Sequence, residues 1–514
     1  MARLLIQIRG IARAFRRGVH TRGDRFTTSR PHLISVKAAP THAAYAASMP
    51  ASSAFDPELL RRYDRPGPRY TSYPTAPQFA SGFGEAQLRE AAVTSNGDPI
   101  PRRLSLYVHV PFCLSPCFYC GCNRIITRDL SRADTYLARL YREIDLTASL
   151  FDRDREVIQL HFGGGTPNFL SPAQLREVVD TLRQQFHFSD SRERDISIEL
   201  DPRFIICLED VAELADIGFN RASLGVQDFD PAVQEAVNRI QSVEQTVAII
   251  EACRASGFRS VNVDLIYGLP KQNPEGFSRT LDTVIRVRPD RVAVYSYAHM
   301  PELFKAQKQI NAEDIPSAEV KLGLLQLAIE KLTAAGYVYI GMDHFALPDD
   351  ELAQAQARGG LHRNFMGYTT HADSDLIGLG VSAISHIGDS FSQNPRDLIS
   401  WQGAIDDGRL PVFRGMRLSE DDQLRADLIQ RLMCGGEIPI AALERRYAID
   451  FHEYFSDELE RLQPLADDGL VRIEHDVIRV TAQGRLLLRN IAMCFDRYLH
   501  QVAEVAAPHF SRAI

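Results

Sequence analysis

The sequence predicts an α/β fold: a partial or full β/α barrel with an N-terminal extension and a smaller, mainly helical C-terminal domain. Three observations carry this. Between residues 104 and about 345, seven short runs rich in β-branched and aromatic residues alternate with amphipathic segments; they are SLYVHV, EVIQLHF, DISIEL, RASLGV, SVNVDLIY, RVAVYSY and YVYIGM. Strand, helix and strand repeated in this way imply a parallel sheet with right-handed crossovers. Each run also ends in a distinctive group, in order the cysteine loop, GGGTP, ELDP, VQD, DLIYGLP, YAH and MDHF. Functional groups of a barrel gather at the C-terminal ends of its strands, so these endings are expected to meet at one mouth. From about Trp401 the pattern turns helical, with short candidate strands at LVRIEH and DVIRVTAQG before the helical stretch RLLLRNIAMCFDRYLHQVAEV.

In chain order, residues 1–48 form a basic head with eight arginines and Lys37 against Asp24, a charge of +8 that leaves −16 on the remainder. Such an Arg-rich, acid-poor stretch fits an organellar transit peptide; the preferred reading is a disordered extension or misplaced start ahead of Met49. Residues 49–103 carry a short helical stretch and then PGPRYTSYPTAPQF, whose prolines and glycine preclude regular structure. This segment is expected to pack over the active site. Within the barrel region, residues 104–345, Ser171 is an N-cap with Pro172 at the first helical position. Leu175, Val178, Val179, Leu182 and Phe186 then mark one buried face. Residues 346–400 read as a loop-rich connection and residues 401–514 as the C-terminal domain.

Hydrophobic content of 45% and charged content of 24% are ordinary for a globular chain, and no apolar run approaches a membrane span. The expectation is a soluble, cytoplasmic protein. The acidic body argues against nucleic-acid binding.

The chemistry concentrates in YVHVPFCLSPCFYCGCNRIIT, residues 107–127. Cys113, Cys117 and Cys120 fall in a C-x-x-x-C-x-x-C spacing, with Cys122 as an extra. One loop can point three thiolates at one centre. Thiolates select iron-sulfur clusters or zinc, and three ligands on a four-iron cluster leave one iron open to a substrate or cofactor. A zinc knuckle using all four cysteines is the alternative, but the C-x-C step suits it poorly. Cys207, Cys253, Cys434 and Cys494 are scattered and read as buried apolar residues. The glycines 163–165 permit close backbone approach to a ligand. Glu199 and Asp201 end a strand, as an acid/base couple, a ribose site or a helix cap. His109, His161 and His299 read as satisfied core or rim histidines.

The cysteine loop resembles that of the radical S-adenosylmethionine (SAM) enzymes. Its C-x-x-x-C-x-x-C-x-C form, with PGPRYTSYPT at Pro66–Thr75 and HRNFMGYTT at His362–Thr370, is similar to the oxygen-independent coproporphyrinogen III dehydrogenases. The likeness covers nearly everything after Met49 and implies one 4Fe-4S cluster on Cys113, Cys117 and Cys120, with Cys122 outside the ligand set. It also implies two SAM molecules. Tyr107, Gly164 and Glu199 would surround the first; Tyr119, Gly165, Thr166, Gln227, Arg239, Asp264 and Ala298 would meet the second, with Ile384 also lining the site. Two positions depart from the family, which commonly has Phe at Tyr119 and Gln at Met366.

Arg69, His362 and Arg363 are substrate candidates, because guanidinium forks bind carboxylates. The implied reaction turns two propionates of coproporphyrinogen III into vinyl groups, with electrons from a reduced flavodoxin or ferredoxin-type donor and an unknown electron acceptor. The implied state is a monomer. The related haem chaperone is the alternative; Cys122, PGPRYTSYPT and HRNFMGYTT favour the dehydrogenase.

Overall fold

The computed structural model describes residues 56–205 and 207–501; the basic head and the last residues of the C-terminal segment lie outside that range. Six strands follow one another in chain and in space: β1 Arg103–Val110, β2 Glu156–Gly164, β3 Asp195–Leu200, β4 Arg221–Gln227, β5 Ser260–Tyr267 and β6 Arg291–Ser296, all parallel. Helices α1 Ser131–Ala148, α2 Pro172–Gln185, α3 Glu209–Ile217, α4 Val243–Ala255 and α5 Pro274–Val287 make the crossovers, and α6 Ala318–Ala334 follows β6. The Ser171 hydroxyl accepts from the Gln174 amide at 3.3 Å, and Leu175, Val178, Val179 and Leu182 are buried. The helix starts where its cap and proline place it.

Beyond β6 the order departs from the sequence reading. The run YVYIGM forms β7 Val338–Gly341, but β8 His344–Ala346 lies between it and β6, antiparallel to both. The seventh parallel strand is instead β11 Ser374–Leu379, which pairs with the free side of β1. Residues 346–400, expected to be loop-rich, therefore complete the sheet. They contain a helix at Glu351–Arg358, the hairpin β9 His362–Asn364 and β10 Gly367–Thr369, then β11, β12 Ile384–Ile387 and β13 Ser390–Gln393. β14 Arg414–Arg417 adds to β13. The order β7-β8-β6-β5-β4-β3-β2-β1-β11-β12-β13-β14 is open at both ends, so the barrel is partial.

The strands alternate strictly. Leu104, Leu106, Val108 and Val110 of β1, Ile196, Ile198 and Leu200 of β3, and Val261, Val263 and Leu265 of β5 are buried in the main hydrophobic core. The residues between them face the other way and are polar. Gln159, His161, Ser197, Glu199, Ser223, Asn262 and Asp264 line an interior cavity of about 160 Å³. At the N-terminal ends of the strands a charged lattice closes the interior: Arg221 bonds Asp195 and Glu351, each at 2.5 Å, Arg291 bonds Asp350 at 2.9 Å, and His371 meets Asp195 at 3.2 Å. The apolar half holds the helices, and the polar half makes a chamber open toward the other end.

The fully buried Glu143 of α1 ties this helix to the β11–β12 turn. Its carboxylate accepts from the Gly380 amide at 2.8 Å, Asn394 Nδ2 at 2.7 Å and Trp401 Nε1 at 3.2 Å. Glu143→Ala strands three buried donors and is expected to cost about 2–4 kcal/mol, read from the denaturant midpoint.

The C-terminal part begins with α7 Glu420–Gly435 and includes β15 Glu437–Pro439, β16 Val471–Ile473 and β17 Val477–Val480, an antiparallel sheet in the order β15-β17-β16. LVRIEH and DVIRVTAQG supply β16 and β17; β15 is not signalled by the sequence, because three residues ending in proline are too short to show a pattern. The expected long terminal helix is broken into a 3-10 turn at Gly484–Leu487 and short helices at Leu488–Met493 and Arg497–Gln501. Leu59, Leu60, Tyr63, Tyr70 and Tyr73 share a hydrophobic core with this part of the chain. Among the described residues no helix is long and apolar enough to cross a membrane.

Candidate active site

The cysteine loop leaves β1 and is pinned at its base. Phe112–Cys113 pairs with Ile125–Ile126, the Ile125 amide reaches the Pro111 carbonyl at 2.7 Å, and the Thr127 amide reaches that of Cys113 at 3.0 Å. The arch between is held from inside and outside. Arg124 donates to the carbonyls of Cys120 at 3.0 Å and Cys117 at 3.2 Å, while Asn238 Nδ2 donates to that of Pro116 at 2.7 Å. Cys113 and Cys117 are buried, Cys120 is half-buried and Cys122 is exposed.

Every one of the three spaced sulfurs accepts a hydrogen bond. Thr166 Oγ1 lies 3.3 Å from Cys113 Sγ, Arg203 and Arg239 lie 3.3 and 3.4 Å from Cys117 Sγ, and the Cys122 amide lies 3.4 Å from Cys120 Sγ. Such donors favour the thiolate that binds iron: the Cys122 side chain brings Cys120 down to about 6, whereas burial raises Cys113 to about 11 against the Thr166 hydrogen bond. The residues thus fit a cubane carried on three thiolates, with the exposed Cys122 beside them in the lining of the same hollow.

Beneath the arch lies a cavity of about 270 Å³. Cys113, Cys117 and Cys120 line it together with eight of the expected SAM residues: Tyr119, Gly164, Gly165, Thr166, Glu199, Gln227, Arg239 and Asp264. Tyr107 stands behind this wall, stacked on His161 at 5.9 Å with its hydroxyl 3.1 Å from His109 Nδ1. Ala298 adjoins the loop through Gln307, whose amide bridges the carbonyls of Ala298 and Tyr119 at 3.1 and 2.9 Å. Ile384 sits across the sheet, its backbone against Gly378, the partner of Tyr107 on β11. The triple glycine serves packing as well as access: a Cβ on Gly165 would come within 2.8 Å of the Pro111 carbonyl carbon, and Gly164 has φ of +117°.

Charge is distributed unevenly over the cavity wall. Burial works to raise the Glu199 carboxyl, but His161, 3.3 Å away, together with the Gly164 amide and His109, outweighs it and holds the group below the usual range. Asp264 goes the other way, pushed up to about 6 by burial and then by the charge of Glu199, against hydrogen bonds from Ser223 at 3.0 Å and Asn262 at 2.8 Å. Asp201 is neither acid nor base here: it bonds Arg203 at 2.7 Å and Arg239 at 3.1 Å and caps the turn at Pro202–Phe204. A ligand that donates hydroxyls to Asp264 needs its anion. Because that anion is lost below its raised pKa, affinity for such a ligand is expected to be flat from pH 8 to 7 and to fall as pH drops through about 6; equilibrium dialysis against pH checks this.

The remaining expectations separate in space. Arg69 pairs with Asp343 and lies over the Tyr295 ring, 5.6 Å from its centroid. Arg363 is buried over Tyr368, at 4.7 Å. His362 does not join them; it lines a separate cavity of about 360 Å³ with Asp427 and Gln430, since adjacent residues of β9 face opposite ways. Met366 lines the interior cavity with Tyr295 and His344. His109, His161 and His299 are each hydrogen bonded. Cys253, Cys434 and Cys494 are buried as expected, but Cys207 is exposed, its thiol 3.3 Å from Asp210. It stands just before α3, in a loop that no apolar periodicity turns inward. Arg124, Arg203 and Asn238 went unnoticed in the sequence because their task, fixing the loop and its sulfurs, follows no spacing rule.

Comparison with known proteins decides which family built this site. The radical SAM superfamily profile matches residues 107–284, and the HemN C-terminal domain profile matches residues 418–487. Oxygen-independent coproporphyrinogen III oxidase of Pseudomonas aeruginosa is 52% identical over 460 residues, covering 90% of this chain and 99% of the relative. This chain belongs to the oxygen-independent coproporphyrinogen III oxidases. The enzyme of that name from Escherichia coli K12 is 49% identical, over 90% of this chain and 98% of its own. A solved structure of E. coli coproporphyrinogen III oxidase (HemN), described as a radical SAM enzyme, superposes with a TM-score of 0.82 at 48% identity, covering 87% of this chain and 99% of that one. The protein is therefore a radical SAM oxidoreductase, and its family implies a 4Fe-4S cluster and SAM as cofactors.

Proposed function

We propose that this oxidase converts coproporphyrinogen III to protoporphyrinogen IX, using two SAM molecules held between the cysteine loop and the ends of β2 to β5. The observation that carries this reading is the joint lining of one cavity by Cys113, Cys117 and Cys120 with Glu199, Asp264, Arg239 and the glycines after β2. Cys113, Cys117 and Cys120 would hold the cluster, which, reduced by a flavodoxin or ferredoxin-type donor, would supply with SAM the one-electron chemistry that yields a 5′-deoxyadenosyl radical.

The chain's own residues position and enclose. Gly164 and Glu199, with Tyr107 behind them and Ile384 on the far side, hold the first SAM; Tyr119, Gly165, Thr166, Gln227, Arg239, Asp264 and Ala298 hold the second. Glu199, kept ionised by His161, accepts from ammonium or hydroxyl groups, and Asp264 accepts from hydroxyls. Each turnover would remove one hydrogen atom from the substrate's β-carbon, and loss of carbon dioxide and of one electron to an acceptor would leave the vinyl group. Arg69 lies over Tyr295 and Arg363 over Tyr368, two rings that line the interior cavity, and both are retained as substrate candidates. His362, on the opposite face, is set aside.

The test is anaerobic incubation of reconstituted protein with SAM, a reductant, a cell extract as electron acceptor and coproporphyrinogen III, followed by separation of the oxidised porphyrins. Protoporphyrin formation supports the reading. Cleavage of SAM with coproporphyrinogen untouched, together with haem binding, would replace it with the chaperone reading.

A further inference from the structure

The sulfur of Cys117 differs from the two others of the C-x-x-x-C-x-x-C spacing in what it faces. Cys113 Sγ accepts from a neutral hydroxyl, that of Thr166, and Cys120 Sγ from a backbone amide, that of Cys122. Cys117 Sγ accepts from two guanidiniums, Arg203 Nη2 at 3.3 Å and Arg239 Nη1 at 3.4 Å. Neither arginine belongs to the cysteine loop: Arg203 stands in the turn after β3, and Arg239 in the stretch between β4 and α4. One carboxylate fixes both. Asp201 accepts from Arg203 Nη2 at 2.7 Å and Nε at 3.0 Å, and from Arg239 Nη1 at 3.1 Å. Asn168 in turn holds Asp201 by its backbone, accepting from the amide at 2.9 Å and donating to the carbonyl at 3.1 Å. Arg203 Nη1 donates to the Asn238 carbonyl at 3.3 Å, and the guanidinium lies 5.0 Å from the centroid of Phe204. These contacts set the plane of the Arg203 fork and leave Nη2 within reach of the sulfur.

Charge does not balance at this spot. Two guanidiniums share Asp201, and among the described residues no second carboxylate makes an ion pair with either of them. Asp264 feels Arg239 but does not pair with it. One arginine would neutralise Asp201; the second leaves a positive charge against the sulfur. The Arg203 and Arg239 side chains are 11% and 7% exposed, so water screens that charge little. Hydrogen bonds and cations at a ligand sulfur draw electron density from it. They therefore favour the state of an iron-sulfur cluster that carries an added electron over the state that does not, and hydrogen bonds to the sulfurs are among the levers that set cluster potentials.

We propose that Arg203, held by Asp201 and working beside Arg239, raises the reduction potential of the cluster through Cys117 Sγ and so eases its one-electron reduction by the donor. The proposal rests on the reading of Cys117 as a cluster ligand. Arg203 is a positioning residue: it acts through the sulfur and carries no step itself. Asp201 sets the size of the effect, because its anion offsets one of the two cations. Two substitutions therefore push in opposite directions. Arg203→Gln removes a cation and lowers the potential, whereas Asp201→Asn removes an anion at nearly constant size and raises it.

The experiment uses the full chain reconstituted anaerobically with iron and sulfide, without SAM or substrate. Wild type, Arg203→Gln, Arg203→Lys, Asp201→Asn and Cys117→Ser are assayed for iron and then poised at a series of potentials, with the reduced cluster read by electron paramagnetic resonance. At the wild-type midpoint the ratio of reduced to oxidised cluster is expected to fall about tenfold in Arg203→Gln, equivalent to about 59 mV for a one-electron couple. In Asp201→Asn the ratio should rise, and Arg203→Lys, which keeps the charge but not the fork, should lie between Arg203→Gln and wild type. A purely structural role would cost iron in both variants and would not give shifts of opposite sign. Midpoints that stay within twofold of wild type in that ratio, or that move the same way in Arg203→Gln and Asp201→Asn, would overturn the proposal. Failure of Arg203→Gln to hold the cluster would overturn it as well, because Arg203 would then build the site and not tune it. An intact cluster in Cys117→Ser would instead remove the ligand reading on which the proposal stands.

Discussion

Cys117→Ser protein is expected to fold, to bind no cluster and to show no measurable oxidation of coproporphyrinogen III. Cys117 is the middle one of the three proposed ligands, and its sulfur receives both the Arg203 and the Arg239 guanidinium. A serine hydroxyl is a hard, protonated donor at neutral pH and cannot replace a soft thiolate on iron. The backbone bonds that hold the arch, from Arg124 and Asn238, involve carbonyls and survive the change. Iron content and visible absorption after anaerobic reconstitution read the cluster, and near-ultraviolet circular dichroism reads the fold. Cys122→Ser is the control: Cys122 is exposed and outside the proposed ligand set, so that variant should retain its iron. Retention of iron by Cys117→Ser with loss from Cys122→Ser would reassign the ligands.

Glu199→Gln carries the second large effect. The carboxylate, held ionised chiefly by His161 against its burial, is the anion at the centre of the cavity wall. Its amide retains the shape but not the charge, so SAM affinity is expected to fall about tenfold to a hundredfold. A second consequence follows through Asp264. That group is raised to about 6 first by burial and next by the negative charge of Glu199. Neutralising Glu199 removes the repulsion and lets Asp264 ionise more easily, so the acid edge of SAM binding should move below its wild-type position near pH 6. Dialysis of labelled SAM at a series of pH values measures both. An unchanged edge would show that Asp264 does not set it.

The loop and the six leading strands were legible because their signals are local: cysteine spacing on one hand, short β-branched runs between capped helices on the other. Ser171, Pro172 and the apolar stripe after them show the same economy, with cap, first turn and buried face all within fifteen residues. The seventh parallel strand was not legible. SDLIGL of β11 sits among glycines and turns, and nothing local says that it returns over some 260 residues to pair with β1. YVYIGM looks the better strand, yet the short antiparallel β8 separates it from the parallel set. The polar chamber was half visible. The alternation in SIELD or SVNVDL is plain in the letters, but a parallel barrel strand is ordinarily apolar on both faces, so the letters alone do not say that the polar residues line a chamber. Of the substrate candidates, Arg69, His362 and Arg363 stand out by residue type within motifs, but that His362 faces a cavity separate from the other two follows only from the strand, whose neighbouring residues face apart.

The most direct test of the account uses coproporphyrinogen III deuterated at the β-carbons of its propionates, turned over anaerobically with unlabelled SAM, and mass analysis of the 5′-deoxyadenosine produced. The account predicts one deuterium in each 5′-deoxyadenosine, with one such molecule for every vinyl group formed. Vinyl groups formed alongside unlabelled 5′-deoxyadenosine would contradict it, because the hydrogen would then have left the substrate by a route that the SAM cavity does not control.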